Sequence, residues 1–348
     1  MNLAWFLAAP LMSSFLIAVA VTPMVIWWYK REQWLDDPKT QAHPKIIHTY
    51  PVPRGGGVPI MVAVGVTAIT FLGIDKYVIG ILAGAAILTV VGVIDDIKDL
   101  NPYLRLGLGA VAAAGTVAAG IKIGFISNPW GGVVDLHPWL ADGLAILWIV
   151  WLMNMVNWSK GVDGQLPGVV VIAAVTIGML SLRFSADVTV WPVIILAMIV
   201  AGAYGGLLVF NVYPQKMMPG YGGGALGGYL LAVLAILSTV KVGTALVVLG
   251  VPLVDAGYVI ARRLWAGRSP VWGDRGHLHH KLLDLGWSKR SIAAGYWLVT
   301  AALGLIALRL NAQQKFYTIL MLGMLVGGFL LWWKHWSWYS SRPGRDNG

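Results

Sequence analysis

The sequence has no cysteine and few charged residues. Without Cys among its 348 residues, the chain has no disulfide, no thiolate metal site and no thiol nucleophile. Charged residues make up 11% of the chain and hydrophobic residues 58%, which is too apolar for a water-soluble domain. The composition therefore predicts a membrane protein.

Apolar stretches long enough to cross about 30 Å of hydrocarbon recur along the chain. They predict an all-α fold, a polytopic membrane helical bundle of about 11 transmembrane helices. We expect a single domain over residues 1–348 with a short cytoplasmic tail at 334–348. The predicted helices cover about 3–29, 56–73, 77–96, 102–121, 139–157, 167–183, 187–213, 222–239, 241–263, 290–310 and 315–333.

Basic residues are distributed unevenly between the two sides of this predicted bundle. With the N-terminus outside, all but six of the 25 Lys and Arg residues fall in inner loops or in the tail. Cytoplasmic loops carry such an excess, so we expect the N-terminus outside and the C-terminus in the cytoplasm. Topology and anionic lipid explain the net charge of +10, so no nucleic-acid partner is expected.

Two adjacent carboxylates, Asp95 and Asp96, stand at the inner end of the third predicted helix. Neighbouring carboxylates raise each other's proton affinity unless a cation lies between them, as in a Mg²⁺ site or a general-base site. The alternative is a solvated helix end in which Lys98 matches the pair. The pair alone favours neither interpretation.

Two inner segments combine glycine with polar side chains. In the loop before the second helix, His48 and Arg54 precede three glycines, which allow a ligand to approach the backbone closely. In the segment leaving the fifth helix, Asn157, Lys160 and Asp163 alternate with glycine. The alternatives are an ordinary Pro/Gly linker for the first segment and a helix C-cap with a tight turn for the second.

Two further inner segments contain polar residues near the eighth and ninth helices. Asn211 precedes a glycine run that either exposes helix N-terminal amides to a diphosphate or allows close helix packing. Asp255 lies inside the ninth predicted helix, where an unpaired carboxylate is costly.

Three histidines, His277, His279 and His280, follow in a loop rich in basic residues. Imidazoles in this setting donate to phosphate oxygens or titrate near neutrality. A zinc site is the rival interpretation, but the three positions do not share one helical face as an i, i+4 pair does. The cluster therefore favours phosphate.

Taken in order, these motifs resemble those of the polyprenyl-phosphate N-acetylhexosamine-1-phosphate transferases. This family begins O-antigen, enterobacterial common antigen and wall teichoic acid synthesis and includes the muramoyl-pentapeptide translocase. The segment 48–57 resembles its His-x-x-Pro-x-Pro-Arg-x-Gly-Gly motif, Asp95 and Asp96 its Asp-Asp pair, and 275–283 its His-Leu-His-His-Arg-Leu-Leu box. Two shorter matches lead into that box. Five motifs in one order over nearly the whole chain make the resemblance specific.

The resemblance implies a bacterial inner-membrane enzyme with a cytoplasmic active site. There the phosphate of polyprenyl (undecaprenyl) phosphate attacks the β-phosphorus of a UDP-sugar such as UDP-GlcNAc, Mg²⁺ holds the diphosphate, and UMP leaves. The transferred N-acetylhexosamine-1-phosphate begins a cell-envelope glycan. The implied partners are the UDP-sugar, the lipid phosphate and the bilayer, and a homodimer is left open.

The resemblance also implies residue roles. The implied catalytic residues are Asp95, Asp96 and Asp163, and the first two are also the implied magnesium ligands. The implied substrate contacts are His48, Arg54, Asn157, Lys160, Asn211, His277, His279 and His280.

Two positions depart from the family pattern. Lys160 stands where the family has the first Asp of its fifth-helix loop, and Tyr221 stands where it has the metal-binding Asp of Gly-Asp-x-Gly-Ser. Together these changes shift the local charge by about three units toward positive and weaken any site built from carboxylates. We therefore expect the Mg²⁺ requirement to be weakened or absent.

Three classes of function are compatible with a membrane protein that carries these motifs. In the first, Lys160 supplies the missing positive charge and transfer continues. In the second, a degenerate relative binds the lipid carrier or a nucleotide without turnover. The third, a transporter, is disfavoured because the chain shows no inverted repeat and its polar groups gather at one face. The persistence of Asp95, Asp96, Asp163 and the histidines favours the enzyme.

Overall fold

A computed structural model shows the predicted all-α architecture. It describes residues 3–39, 48–184, 186–187, 190–238, 241–269, 271–272 and 276–340. Within these residues the helices are α1 (Leu3–Arg31), α2 (Gly57–Phe71), α3 (Lys76–Lys98), α4 (Pro102–Ala118), α5 (Pro138–Trp158), α6 (Gln165–Ser181), α7 (Trp191–Asn211), α8 (Gly220–Leu237), α9 (Lys241–Val248), α10 (Gly250–Trp265), α11 (Leu278–Asp284), α12 (Lys289–Ala307) and α13 (Ala312–Ser340).

Two antiparallel hairpins lie among the helices in the described part of the chain. The first pairs β1 (Leu35–Asp36) with β2 (Val52–Pro53) in the loop after α1. The second pairs β3 (Phe125–Ser127) with β4 (Val133–Asp135) between α4 and α5. Because both are two-stranded and short, the helices carry the fold.

The ninth predicted helix, 241–263, is wrong as a single helix. The chain breaks at Leu249, and α10 leaves the axis of α9 at an angle of 84°. Pro252 explains the break, because it has no N–H to donate and its ring would clash with the carbonyl of Val248 four residues earlier. Proline is well tolerated in the first turn of the new helix.

The eleven predicted crossings are not confirmed. By length and composition, seven helices among the described residues are able to cross a membrane, or eight if α9 and α10 form one broken span. The apolar helices α2 and α6 have 15 and 17 residues. At helical rise they reach about 23 and 26 Å, less than the hydrocarbon thickness. Most of α6 is buried among its neighbours.

Helices α1 to α8 run in alternating directions, so that their ends meet in two groups. At one end, Tyr29 near the end of α1 donates to Asp96 near the end of α3. At the other end, Phe6 of α1 packs on Trp191 at the start of α7, with ring centroids 4.9 Å apart. At the end where Tyr29 meets Asp96, helices α1, α3, α5 and α7 end and helices α2, α4, α6 and α8 begin. We call it the polar end.

The last helix returns toward the polar end. Near the start of α13, Lys315 donates to Thr244 of α9 at 2.8 Å. Further along, the carbonyl of Leu330 accepts from Tyr258 of α10 at 3.4 Å. Since α1 begins at the far end and α13 runs back from it, the two ends of the described chain lie at opposite ends of the bundle.

Helix α8 is the central element. It packs against α3, α5 and α6, and nearly all of its residues are buried. A Cβ on Gly92 of α3 would overlap the Cα of Gly222 of α8. Small residues at this crossing let the two backbones touch, as they do in other membrane helix pairs.

We predict that Gly92→Ala lowers the unfolding free energy by about 1–3 kcal/mol, because the added methyl group forces α3 away from α8. Thermal unfolding in detergent measures this as a lower transition temperature. Gly107→Ala is the matched control, because nothing lies within 4 Å of a Cβ at Gly107 of α4. An equal effect of the two substitutions would contradict the close crossing.

Candidate functional site

One cavity opens at the polar end and has a volume of about 720 Å³. Its walls come from the ends of α3, α5 and α7, the starts of α4, α6 and α8, the first hairpin region and the histidine segment. All residues with an implied catalytic or substrate role line it, and Tyr221 does too: His48, Arg54, Asp95, Asp96, Asn157, Lys160, Asp163, Asn211, Tyr221, His277, His279 and His280. The structure therefore brings together segments that are more than 200 residues apart.

Asp95 is held by an arginine, one of the basic residues that the predicted topology places on the inner side. Arg105 of α4 donates from Nη1 to both carboxylate oxygens of Asp95, each at 3.0 Å, and the amide of Leu100 also donates to Oδ1. The alternative of a solvated pair matched by Lys98 is wrong, because Asp95 and Asp96 are buried while Lys98 is exposed.

One carboxylate oxygen of Asp96 accepts a hydrogen bond, and the other is open, which means that it has no hydrogen-bond partner among the described residues. Oδ2 accepts from the hydroxyl of Tyr29 at 3.2 Å. Oδ1 is buried and has no hydrogen-bond partner among the described residues. A buried acceptor without a donor is costly, so this oxygen is suited to a proton or a ligand hydroxyl.

Arg54 is anchored at the end of α3. Its Nη2 donates to the carbonyl of Asp96 at 2.9 Å and its Nη1 to Asp99 at 3.1 Å. Both bonds place the guanidinium beside the acidic pair.

Lys160 reaches across the cavity from the α5–α6 turn. Its Nζ donates to the carbonyl of Gly220 at 2.8 Å. Burial lowers the pKa of Lys160 to about 8, although Asp95 and Asp96 act in the opposite direction. Arg105 and Arg54 also face it and add to the lowering. The side chain is therefore charged below about pH 8 and neutral above it.

Tyr221 fills the first turn of α8 next to the same groups. Its hydroxyl donates to the carbonyl of Arg105 at 3.2 Å, and the guanidinium carbon of Arg105 lies 5.3 Å from the ring centroid. The ring thus supports the arginine that neutralises Asp95. Gly220 has φ of +65°, and a Cβ there would overlap the carbonyl of Arg54.

Asn211 is a positioning residue in this structure. Its Oδ1 accepts from the amide of Gly164 at 3.0 Å, and its Nδ2 donates to Gln215 at 3.0 Å and to the carbonyl of Met217 at 2.8 Å. Both Nδ2 hydrogens are used within the chain. Asn211 therefore joins the α5–α6 turn to the segment before α8.

Asp163 lies in the same network but keeps an open oxygen. Oδ2 accepts from the amide of Gln215 at 3.3 Å, and Oδ1 lies 3.9 Å from Nζ of Lys289 without a hydrogen bond. Asn157 is also buried against Gly224 of α8, and its Oδ1 has no partner in the described chain. Open acceptors in a polar cavity match ligand hydroxyl or N–H groups.

His48 contacts the chain itself. Its Nε2 lies 3.1 Å from the carbonyl oxygen of Asp36. This contact joins His48 to strand β1 of the first hairpin. Only Nδ1 is left for a ligand.

Asp255 is paired, as the cost of burying a lone carboxylate requires. Its Oδ2 lies 2.9 Å from Nδ1 of His277, and its Oδ1 accepts from the amide of Leu278 at 2.8 Å. The carboxylate therefore accepts a hydrogen bond from the first residue of α11. Because Nδ1 of His277 is engaged, Nε2 is the ring nitrogen that is available to a ligand. The rings of His277 and His279 are stacked 5.5 Å apart, and a Cβ on Gly161 would overlap His279.

The residues present do not fit a magnesium site built from carboxylates. No group of three or more His, Asp or Glu side chains in the described part of the chain is arranged to hold a metal ion. Both oxygens of Asp95 are engaged by Arg105, and the ammonium group of Lys160 and the ring of Tyr221 line the same cavity.

The sequence interpretation missed three contributors: Tyr29, Arg105 and Asp99. Tyr29 lies in an apolar helix, and Arg105 and Asp99 lie next to helix ends where charge is common. Asp99 follows Asp96 and Asp95 by three and four residues, a helical spacing that could have marked it. Tyr29 and Arg105 reach the acidic pair only through tertiary packing.

Comparison with known proteins agrees with the motifs. A model of glycosyl transferase family 4 matches residues 78–239. The chain is 28% identical over 323 residues to the probable undecaprenyl-phosphate N-acetylglucosaminyl 1-phosphate transferase of Bacillus subtilis, covering 90% of this chain and 87% of the relative.

Two further relatives cover somewhat less. The decaprenyl-phosphate N-acetylglucosaminephosphotransferase of Mycobacterium leprae is 29% identical over 282 residues, 71% of this chain and 70% of the relative. The undecaprenyl-phosphate alpha-N-acetylglucosaminyl 1-phosphate transferase of Escherichia coli K12 is 26% identical over 272 residues, 74% and 71% of the two chains. These matches support the resemblance to the polyprenyl-phosphate N-acetylhexosamine-1-phosphate transferases.

We predict that acetic anhydride modifies Lys160 with a half-maximal rate near pH 8, because burial favours the neutral amine. Mass spectrometry of the labelled peptide over a pH series measures this. Asp96→Asn should move the midpoint lower, because the Asp96 charge raises this pKa. A midpoint near the ordinary lysine value of about 10.4 would contradict the buried placement.

Proposed function

We propose that the protein transfers N-acetylhexosamine-1-phosphate, most simply GlcNAc-1-phosphate, from a UDP-sugar to undecaprenyl phosphate. UMP is released and the lipid-linked sugar begins a cell-envelope glycan. The relatives named for transfer of N-acetylglucosamine phosphate to polyprenyl phosphates support the reaction type.

The observation that carries the proposal is the convergence of cations and open acceptors in a single cavity. Arg54, Arg105 and Lys160 supply fixed positive charge, and Asp96, Asp163 and Asn157 present open oxygens. A volume of about 720 Å³ suits a nucleotide sugar. Transfer of a phosphoryl group needs positioning and charge neutralisation more than covalent help from the protein.

The proposed step exchanges one phosphorus–oxygen bond for another. An oxygen of the lipid phosphate attacks the β-phosphorus, which carries the sugar, and forms a new diphosphate bond. The bond from that phosphorus to the bridging oxygen breaks, and the bridging oxygen leaves on UMP. Negative charge develops on this leaving oxygen, and nearby fixed cations stabilise it.

Within the acidic pair, the contacts divide the roles. Asp95 positions Arg105, because both of its oxygens are engaged. Asp96 is the better proton acceptor for the lipid phosphate, because its Oδ1 is buried and open. Asp163 and Asn157 are placed to bind donor hydroxyl or N–H groups, and His277 to bind a phosphate oxygen.

The proposed location is the bacterial inner membrane, with the polar end facing the cytoplasm. The excess of Lys and Arg on the polar end supports this orientation. There the water-soluble donor and the lipid acceptor both have access to the cavity. The homodimer remains a prediction.

The second candidate is a relative that binds the carrier lipid or a nucleotide without turnover. Lys160 and Tyr221 at the two positions that differ from the family motif favour it. The intact Asp96, Asp163 and histidine segment favour the enzyme.

Purified protein in lipid nanodiscs should convert undecaprenyl phosphate and radiolabelled UDP-GlcNAc into a labelled lipid and UMP. Asp96→Asn should lower kcat by about 10²-fold, because a positioned proton acceptor typically contributes that much. Lys98→Gln is the matched control and should retain activity, since Lys98 is exposed and does not line the cavity. Absence of labelled lipid with every UDP-sugar tested would contradict the proposal.

A further inference from the structure

The positive charges of the cavity differ in how far the protein itself neutralises them. Arg105 is matched by both oxygens of Asp95, at 3.0 Å. Arg54 is matched by Asp99, at 3.1 Å, but donates its second bond to a neutral carbonyl. Lys160 donates to the neutral carbonyl of Gly220. This bond therefore does not neutralise the ammonium charge of Lys160.

The geometry of Lys160 leaves donors for a ligand. An ammonium group has three N–H donors, and the bond to Gly220 uses one of them. That bond also fixes the side chain across the cavity, so that ordering it on binding costs little entropy. A fixed ammonium with two remaining donors suits the oxygens of a diphosphate.

The surrounding side chains offer few ligands to a divalent cation. Magnesium binds carboxylate, phosphate and water oxygens in octahedral geometry. Asp95 is engaged by Arg105, and Asp96 and Asp163 have a single open oxygen each. The open oxygen of Asp163 lies 3.9 Å from Nζ of Lys289, and Tyr221 contributes a ring that packs on Arg105. A cation placed there would also be repelled by Lys160 and Arg54.

We infer that Lys160, assisted by Arg54, takes the place of a divalent cation and neutralises the diphosphate of a nucleotide sugar. The cavity then binds this diphosphate without metal. This inference rests on the proposed function for the identity of the ligand. It assigns Lys160 a contact with the bridging or β-phosphate oxygens, where the leaving charge develops.

Isothermal titration of UDP-GlcNAc into the protein in nanodiscs tests the inference, once with excess EDTA and once with Mg²⁺. We expect the two Kd values to agree within about twofold. Lys160→Gln should weaken binding by at least about tenfold in both buffers, which is about 1.4 kcal/mol. Lys160→Arg should restore most of it, and Lys98→Gln should match the wild type.

Direct metal binding gives a readout that does not depend on activity. Mn²⁺ titrated into the wild-type protein and followed by electron paramagnetic resonance should remain free, with or without UDP-GlcNAc. The double variant Lys160→Asp/Tyr221→Asp should bind Mn²⁺ in the presence of UDP-GlcNAc, because two carboxylates then face the diphosphate. Failure of the double variant to gain Mn²⁺ binding counts against the inference.

The outcomes separate the inference from the proposed function. Donor binding or lipid product that is lost in EDTA overturns the inference and leaves the transferase proposal standing. Metal-independent binding without lipid product supports the inference and overturns the transferase proposal. Absence of UDP-GlcNAc binding in both buffers overturns the inference, while the radiolabel assay decides the proposed function with other UDP-sugars.

Discussion

The need to neutralise buried charge is the constraint on which this protein depends. In a bundle made largely of apolar helices, an ionised side chain is tolerated only beside a partner or at a polar surface. The contacts follow that rule: Asp95 meets Arg105, Asp255 meets His277, and Asp163 lies near Lys289. All three pairs lie at the polar end. The packing of α8 on α3 and α5 in turn fixes the helix ends that carry these groups.

This arrangement places fixed charge where the proposed reaction between a lipid and a water-soluble substrate requires it. The cavity groups are oriented before any ligand arrives: Arg54 by Asp99, Lys160 by Gly220 and His277 by Asp255. Such preorganisation avoids the cost of reorienting dipoles and side chains during the reaction. The same contacts divide the polar residues into those that hold others in place, such as Asn211, and those with atoms open to a ligand, such as Asp96.

The sequence predicted the helices and the membership of the cavity well, because both depend on patterns that a single chain displays. Apolar length marks helices, and charge gathered at helix ends marks a polar surface. The break at Leu249 could have been predicted from Pro252. The partners of the acidic pair could not be predicted from the sequence, because Tyr29 and Arg105 reach the pair only through tertiary packing. The roles of His48 and Asn211 as contacts within the chain likewise depend on segments brought close by the fold.

The most direct measurement of the central claim is the accessibility of single cysteines, for which the cysteine-free chain needs no background substitutions. Trp272→Cys lines the cavity, and Val134→Cys lies in the second hairpin, both at exposed positions. A membrane-impermeant maleimide should label Trp272→Cys only from the cytoplasmic side, with protection by UDP-GlcNAc, and Val134→Cys only from the opposite side without protection. Labelling of both from the same side would contradict a polar cavity confined to one end of a membrane-spanning bundle.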